Sequence, residues 1–175
     1  RSPSRGLGDV YKRQNYNRVT ETVTTNGLTA VATTNNFLRI NHFYITSGNT
    51  NVGNITARLV NGTGTVVNDM LPEFSRAKGG FYTVPNGYTA YILYGDVSSY
   101  KNGAGNVDGQ VDMYVRIFGG PFMNVFAAVV ANGEYRNDFN VPLAVPQKSD
   151  IDVRFNPSGN QTTVSCNWQM ILVPN

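Results

Sequence analysis

Residues 110–131 read QVDMYVRIFGGPFMNVFAAVVA, and this stretch decides the fold class. Apolar side chains occupy every second position from 111 to 117, which is the period of a strand with one buried face. Gly119, Gly120 and Pro121 follow, and glycine and proline are the residues that tight turns use most often. A second apolar run then begins at residue 122. The stretch therefore predicts two antiparallel strands joined by a short turn.

Similar signals recur along the rest of the chain. Asn26-Gly27 lies between two Thr- and Val-rich runs, and an Asn-Gly pair in that setting is the strongest short signal for a hairpin. Pro85-Asn86-Gly87 is a turn signal between two further strand-like runs, and Asn132-Gly133 predicts another hairpin. About ten strands at intervals of about 8–12 residues favour an antiparallel sandwich or barrel. We predict an all-β protein, with one jelly-roll-like β-sandwich domain over residues 15–175.

Two segments lack the alternation of a strand. Residues 66–80 contain a proline, a Gly-Gly pair and several charged side chains, and residues 95–109 are rich in Gly, Ser and Asn. We predict two exposed loops there, the first with room for one helical turn. Long loops in a compact domain often carry function.

The N-terminal residues differ in character from the rest. Residues 4–14 (SRGLGDVYKRQ) resemble the in-frame translation of a transposase-type sequencing adaptor, so we interpret residues 1–14 as a non-native, disordered segment. The chain has 14 Lys and Arg residues against 11 Asp and Glu residues, and residues 15–175 alone have ten of each. The positive net charge, which would favour binding to a polyanion, is therefore absent from residues 15–175. We expect no nucleic-acid partner.

Histidine and cysteine each occur once, as His42 and Cys166. A single cysteine excludes an intrachain disulfide and the two-cysteine zinc and redox motifs. A nucleophilic pair formed by the two residues is an alternative, because catalysis of that kind needs a nucleophile beside a base. We favour structural roles for both residues and predict that the protein is not an enzyme.

Carboxylates could also take part in catalysis or bind a metal ion. Two of them facing a cleft would suit glycoside hydrolysis, but most border turns, where solvated carboxylates are common; the candidates are Asp108, Asp112, Glu134, Asp138, Asp150 and Asp152. A calcium site is a further alternative, with oxygen ligands around Gly109 from Asn106, Asp108 and Asp112. The glutamate and flanking helices of an EF-hand are missing, so an ordinary turn is favoured. We predict neither a metal nor a cofactor.

Tyrosines bracket the two predicted loops. Exposed rings could stack on sugars or fill a subunit interface, and the candidate interaction residues are Tyr82, Tyr88, Tyr94 and Tyr100. Strict alternation would place Tyr88 and Tyr94 on one strand face and Tyr91 on the other. No apolar run approaches the ~20 residues that cross a bilayer, so we expect no membrane partner.

Segments from most of residues 15–175 resemble a family of virion structural proteins of marine tailed phages, in particular short-tailed phages of cyanobacteria and other ocean bacteria. They are residues 15–39 (NYNRVTETVTTNGLTAVATTNNFLR), 51–55 (NVGNI), 82–92 (YTVPNGYTAYI), 115–122 (VRIFGGPF), 139–151 (FNVPLAVPQKSDI) and 164–173 (VSCNWQMILV).

The resemblance implies a particle component located in the virion, with other virion proteins and further copies of itself as partners. In that family, earlier strands precede the stretch equivalent to residue 15, so the chain is expected to be a fragment that lacks at least one N-terminal strand. Capsid decoration, portal-proximal and tail positions stay open, and the resemblance implies no catalytic residue. The alternative function is a carbohydrate-binding or host-recognition module with glycans as partners.

Overall fold

The computed structural model describes residues 4–12, 15–48, 50–59, 63–101, 108–131, 133–159 and 162–175. Every regular element in these ranges is a β-strand, and every strand pair is antiparallel. The prediction of an all-β antiparallel protein is confirmed. In chain order the strands are β1 (Ser4–Lys12), β2 (Arg18–Thr24), β3 (Phe37–Ile40), β4 (Ile55–Arg58), β5 (Val66–Met70), β6 (Phe81–Thr83), β7 (Tyr88–Lys101), β8 (Asp108–Arg116), β9 (Phe122–Ala131), β10 (Glu134–Val145), β11 (Asp150–Pro157) and β12 (Thr162–Pro174).

The chain is organised as two compact units, Arg1–Gly79 and Gly80–Asn175. Strands β1 to β5 lie in the first unit and form two sheets, with strand orders β2-β1-β3 and β4-β5. Strands β6 to β12 lie in the second unit, with strand orders β10-β7-β12 and β6-β11-β8-β9. The expectation that residues 15–175 form a single domain stays a prediction.

The N-terminal segment contains a strand instead of the disorder expected for residues 1–14. The backbone of β1 pairs with β2 from Ser4↔Thr24 to Tyr11↔Arg18, and with β3 at Val10↔Ile40. Ladder hydrogen bonds join backbone groups, so an extended segment can occupy this position whatever its origin. Residues 4–12 thus form a strand where disorder was expected, and the non-native origin of residues 1–14 stays a prediction.

The hairpin predicted around Asn26-Gly27 is reduced to a turn. Thr29 donates its N–H to the carbonyl of Asn26 at 2.9 Å, and Gly27 has a φ of 55°, which suits glycine. Residues 30–36 form no strand. Burial opposes ionisation of Glu21, but hydrogen bonds from Thr34 and Asn35 outweigh it and lower the pKa of the carboxyl. A carboxylate on β2 therefore fixes this segment where a returning strand was expected.

The first predicted loop begins later than expected, because residues 66–70 form β5, which pairs with β4. Asn51 is fully buried and holds the segment that follows β5. Its side-chain amide donates to the carbonyl of Leu71 at 2.6 Å, and its backbone carbonyl accepts from the N–H of Glu73 at 2.8 Å. No helical turn occurs in residues 71–80. Hydrogen bonds to the buried Asn51 thus hold this segment, which has no regular secondary structure.

The hairpin predicted for residues 110–131 is confirmed as β8 and β9, with Val115 opposite Met123. Gly119 has a φ of 79° in the connecting turn, where Gly120 donates to the carbonyl of Ile117 at 2.8 Å. The hairpin predicted at Asn132-Gly133 is wrong, since β9 pairs with β8 whereas β10 pairs with β7. Asn132 itself lies outside the described residues. The chain passes from one sheet to the other at this point.

The second predicted loop is largely a strand. β7 runs through residues 95–101 to Lys101, and β8 begins at Asp108; residues 102–107 lie outside the described ranges. β7 is the central strand of its sheet and pairs with β10 and β12 through this Gly- and Ser-rich stretch. Pairing on both sides outweighs the weak strand propensity of these residues.

Buried side chains from both sheets of Gly80–Asn175 meet in common clusters. One cluster joins Ile92 of β7 and Val145 of β10 with Met113 of β8 and Ile151 of β11. A second joins Val97 of β7 with residues of β8 and β9. Two antiparallel sheets that share a core form a β-sandwich, which confirms that part of the prediction. Its jelly-roll-like topology stays a prediction.

Candidate interaction surface

The four predicted interaction tyrosines do not form one site. Tyr82 is half-buried and packs against the core, whereas Tyr88 and Tyr100 are exposed and Tyr94 is half-buried. Tyr88 and Tyr100 lie near opposite ends of β7, about 40 Å apart at the usual rise of a strand. No compact ligand could contact both rings.

A β-bulge changes which tyrosines share a face. Ala90 and Ile92 point inward, but the next inward residues are Gly95 and Val97. The register with β12 shifts at this point, because Tyr94 lies opposite Gln169 and Ile92 opposite Met170. The extra residue reverses the alternation of the strand. The face assignment made from strict alternation is therefore wrong, and Tyr91 and Tyr94 both lie on the outer face.

The outer face of the β10-β7-β12 sheet is polar. Arg136 lies over the ring of Tyr94, 4.3 Å from its centroid, and forms an ion pair with Asp138 at 2.8 Å. The hydrogen bonds from Arg136 lower the pKa of the Asp138 carboxyl, and the same contact raises the pKa of the guanidinium. The side-chain amide of Asn167 donates to Asp96 at 3.1 Å. This face presents aromatic rings beside carboxylates and amides.

The corresponding face of the β6-β11-β8-β9 sheet contains a buried ion pair. Asp150 is 2% exposed and accepts hydrogen bonds from the hydroxyl of Thr83 at 2.6 Å and from Nε of Arg116 at 2.9 Å. The Arg116 guanidinium also lies over the ring of Phe122, 4.7 Å from its centroid. Three strands, β6, β8 and β11, are thus joined by one carboxylate. Its burial and these contacts favour a structural role for Asp150.

Two further candidate carboxylates, Asp112 and Asp152, also have partners. Asp112 accepts from the side-chain amides of Gln110 at 2.9 Å and Asn124 at 2.8 Å, and Asp152 pairs with Arg154 at 2.6 Å. A calcium ion would have to displace the amide hydrogens from Asp112, and Asn106 lies outside the described residues. In the described part of the chain, no three His, Cys, Asp or Glu side chains are grouped so that they could hold a metal ion.

The candidate nucleophile is not activated by its surroundings. Cys166 is an exposed residue of β12, but partial burial of its sulfur raises the pKa of the thiol. The indole N–H of Trp168 donates to the sulfur at 3.0 Å and offsets this only in part. Nucleophilic cysteines need a lowered pKa. His42, the proposed base, is exposed in the Arg1–Gly79 unit.

The most apolar exposed surface of Gly80–Asn175 lies along β9. This strand is outermost in its sheet, and no described strand pairs with its free side. Six of the eleven large apolar side chains that are exposed among the described residues of 80–175 lie in the β8–β9 turn and in β9. They are Ile117, Phe118, Phe122, Met123, Val125 and Val129. We call β9 and the turn residues 117–121 the β9 edge.

The sequence contains a signal for this edge that periodicity alone does not reveal. β9 has the sequence FMNVFAAVVA, without a charged residue or a proline. Natural sheet edges are usually protected by charges, prolines or short length. The apolar run predicts β9 as a strand but not as an outermost one, because strand order depends on pairing between distant segments.

No family model, no curated protein and no solved structure matches the chain. Among the residues that the structure describes, no helix has the length and apolar character needed to cross a membrane.

Proposed function

We propose that this chain is a structural component of a tailed-phage particle, a capsid decoration protein or another virion component, which acts through protein–protein assembly contacts. The β9 edge is the observation that carries the proposal. It combines an unpaired side of a strand with a row of exposed apolar side chains. Surfaces of this kind mark sites of protein association. The resemblance of residues 15–175 to phage virion proteins supplies the setting.

The charge balance supports close contact between neighbouring subunits. Residues 15–175 contain equal numbers of basic and acidic side chains, so copies packed side by side do not repel one another strongly. Its ion pairs, Arg116–Asp150, Arg136–Asp138 and Arg154–Asp152, are formed within one chain. Because β9 itself has no charged residue, apolar burial and backbone hydrogen bonds would be the main source of association energy at this edge.

Mass spectrometry of purified particles from a phage that encodes this chain tests the proposal. We expect its peptides in gradient-purified particles, at a copy number comparable with other structural proteins. The soluble fraction of the same infected cells serves as the control. Detection only in that fraction would exclude a virion component.

A carbohydrate-binding module is the second candidate, and the outer face of the β10-β7-β12 sheet favours it. Tyr91 and Tyr94 share this face with Asp96 and Asn167, and rings beside carboxylates and amides are suited to sugars. A glycan array would show binding that Tyr91→Ala/Tyr94→Ala abolishes and Tyr88→Ala retains, since Tyr88 lies at the end of the strand. An array without signal for the unmodified protein rejects this candidate.

A further inference from the structure

The Gly80–Asn175 unit has four outermost strands, and they differ in how well they are protected. β6 has only three residues, and β10 contains charged side chains and Pro142. β12 is uncharged, and it exposes polar residues such as Thr163 and Gln169 together with two large apolar side chains, Ile171 and Val173. β9 is also uncharged and exposes four large apolar side chains, the most of these four strands. It is the edge best suited to add another strand.

The side-chain sizes along β9 suit antiparallel pairing of this strand with a second copy of itself. Its first half, FMNVF, contains the larger side chains, and its second half, AAVVA, contains the smaller ones. A full-length antiparallel overlap of two β9 strands places Phe122 opposite Ala131, Met123 opposite Val130 and Asn124 opposite Val129. Phe122 and Met123, the largest side chains in these pairs, then meet smaller ones. A parallel overlap in register would place Phe122 against Phe122.

Because of the bulge in β9, the same overlap brings outer-face residues of one strand opposite outer-face residues of the other. Opposite residues in a strand pair lie on the same face of the sheet. The register with β8 places Phe122 and Asn124 on the outer face, and it places Ala127 and Val129 there as well, because Val125 is an extra residue. Phe122 and Asn124 therefore meet the outer residues of the second half, and with Val125 unpaired in both copies Ala127 meets Ala127 at the two-fold axis. Without the bulge, this overlap would oppose inner and outer faces.

We infer that β9 binds the β9 strand of a second copy of this chain, antiparallel and across a two-fold axis, so that the two β6-β11-β8-β9 sheets become continuous. The absence of charge along β9 means that two identical strands meet without repulsion, whereas a charged partner gains no ion pair there. The inference rests on the proposed function, since it names the contact through which subunits would assemble.

Disulfide trapping of the purified chain tests the pairing and its register. The variant carries Asn124→Cys and Val129→Cys in a Cys166→Ser background, so that the only thiols lie on β9. In the inferred overlap each new thiol lies opposite the other thiol of the second copy, within the Cα separation that a disulfide spans. Mild oxidation should yield at least about tenfold more covalent dimer than either single-cysteine control, since like positions do not meet. Equal yields from all three variants would contradict the register.

A charge placed on β9 tests the interface independently. Val129→Asp should convert the dimer to monomer in sedimentation velocity experiments, while Val141→Asp, at a still more exposed position of β10, should leave the dimer intact. Unchanged circular dichroism in both variants establishes that they fold. An unmodified chain that is monomeric at about 100 µM, well above the Kd of a stable subunit contact, overturns the inference. If the chain is monomeric but present in phage particles, only the pairing of β9 is refuted and the proposed function stands. If the chain forms the dimer but is never found in particles, only the proposed function is refuted.

Discussion

The two sheets of Gly80–Asn175 contain the same combination of groups in different surroundings. Each has an Arg–Asp pair whose guanidinium lies over an aromatic ring, Arg116–Asp150 beside Phe122 and Arg136–Asp138 beside Tyr94. The Asp150 side chain is 3% exposed, whereas that of Asp138 is 61% exposed. The position of a strand in the sandwich, and not the pair of residue types, therefore determines what an ion pair contributes to stability.

The outer strands of the two sheets show a similar contrast. β10 contains Glu134, Arg136 and Asp138, while β9 contains no charge. Both strands lie near the middle of the sequence of Gly80–Asn175, yet each is an outermost strand of its sheet. One sheet is thus joined internally by a buried charge and leaves an apolar edge open, and the other displays its charges on the surface and along its edge.

Removing the cation of the buried pair should have the largest effect. Arg116→Leu leaves the carboxylate of Asp150 buried without a charged partner, so we expect the free energy of unfolding to fall by about 3 kcal/mol or more. Urea denaturation followed by tryptophan fluorescence measures this change. The matched control, Arg136→Leu, should leave the urea midpoint unchanged. Equal losses in the two variants would show that burial is not what distinguishes the pairs.

Each sheet also has a glycine beneath an aromatic ring, and these glycines should differ in sensitivity. A Cβ at Gly95 would collide with the indole of Trp168, and one at Gly109 would collide with the tip of the Phe155 ring. Trp168 is fixed by its hydrogen bond to Cys166 and by edge-on packing against Phe126. We expect Gly95→Ala to cost about 2–3 kcal/mol and Gly109→Ala about 1 kcal/mol, because overpacking costs more where the neighbour cannot move.

Thermal unfolding of the two glycine variants, with Gly159→Ala as the control, measures this difference. The Cβ position of Gly159 is open, so this substitution should leave stability nearly unchanged. A Gly109→Ala variant less stable than Gly95→Ala would contradict the expected order.

These glycines illustrate what the sequence could and could not predict. Alternation and turn residues predicted the β8–β9 hairpin because both signals are local. The stretch that begins at Gly95 was predicted as a loop from composition, but its glycine makes room for Trp168, a residue more than seventy positions away. Contacts over such separations are determined by strand pairing, which local patterns do not encode.

The candidate interaction surface was predicted only in part, for the same reason. Tyrosines were chosen because they flank apparent loops, yet Tyr82 contributes to the core and the bulge moves Tyr94 to the face of Tyr91. A bulge leaves no clear mark in a single sequence. The apolar, uncharged character of β9 was visible, but its outermost position requires knowledge that β8 pairs with it on one side only.

Removing the charges of β10 should reduce the contrast between the two edges. Glu134→Thr/Arg136→Thr/Asp138→Thr gives this outer strand an uncharged first half, and we expect association beyond the dimer in light scattering at high concentration. Pro142 still interrupts the strand, so the effect should be partial. The matched control, Asp152→Thr/Arg154→Thr, removes charges from a strand that is paired on both sides. Association in the control as well would point to lost surface charge instead of an opened edge.

The smallest effect is expected in the titration of the exposed pair. Hydrogen bonds from Arg136 lower the pKa of Asp138, so any stability that this carboxylate adds is present above its unfolded pKa and is lost as the pH falls through the folded value. Carboxyl chemical shifts measured by NMR should show that Arg136→Gln returns the pKa of Asp138 towards its ordinary value. The difference in thermal stability between this variant and the unmodified protein should hardly change between neutral and acidic pH, because solvent screens both groups. An Asp138 carboxyl that titrates identically in the two proteins would mean that the guanidinium lies over Tyr94 without holding the carboxylate.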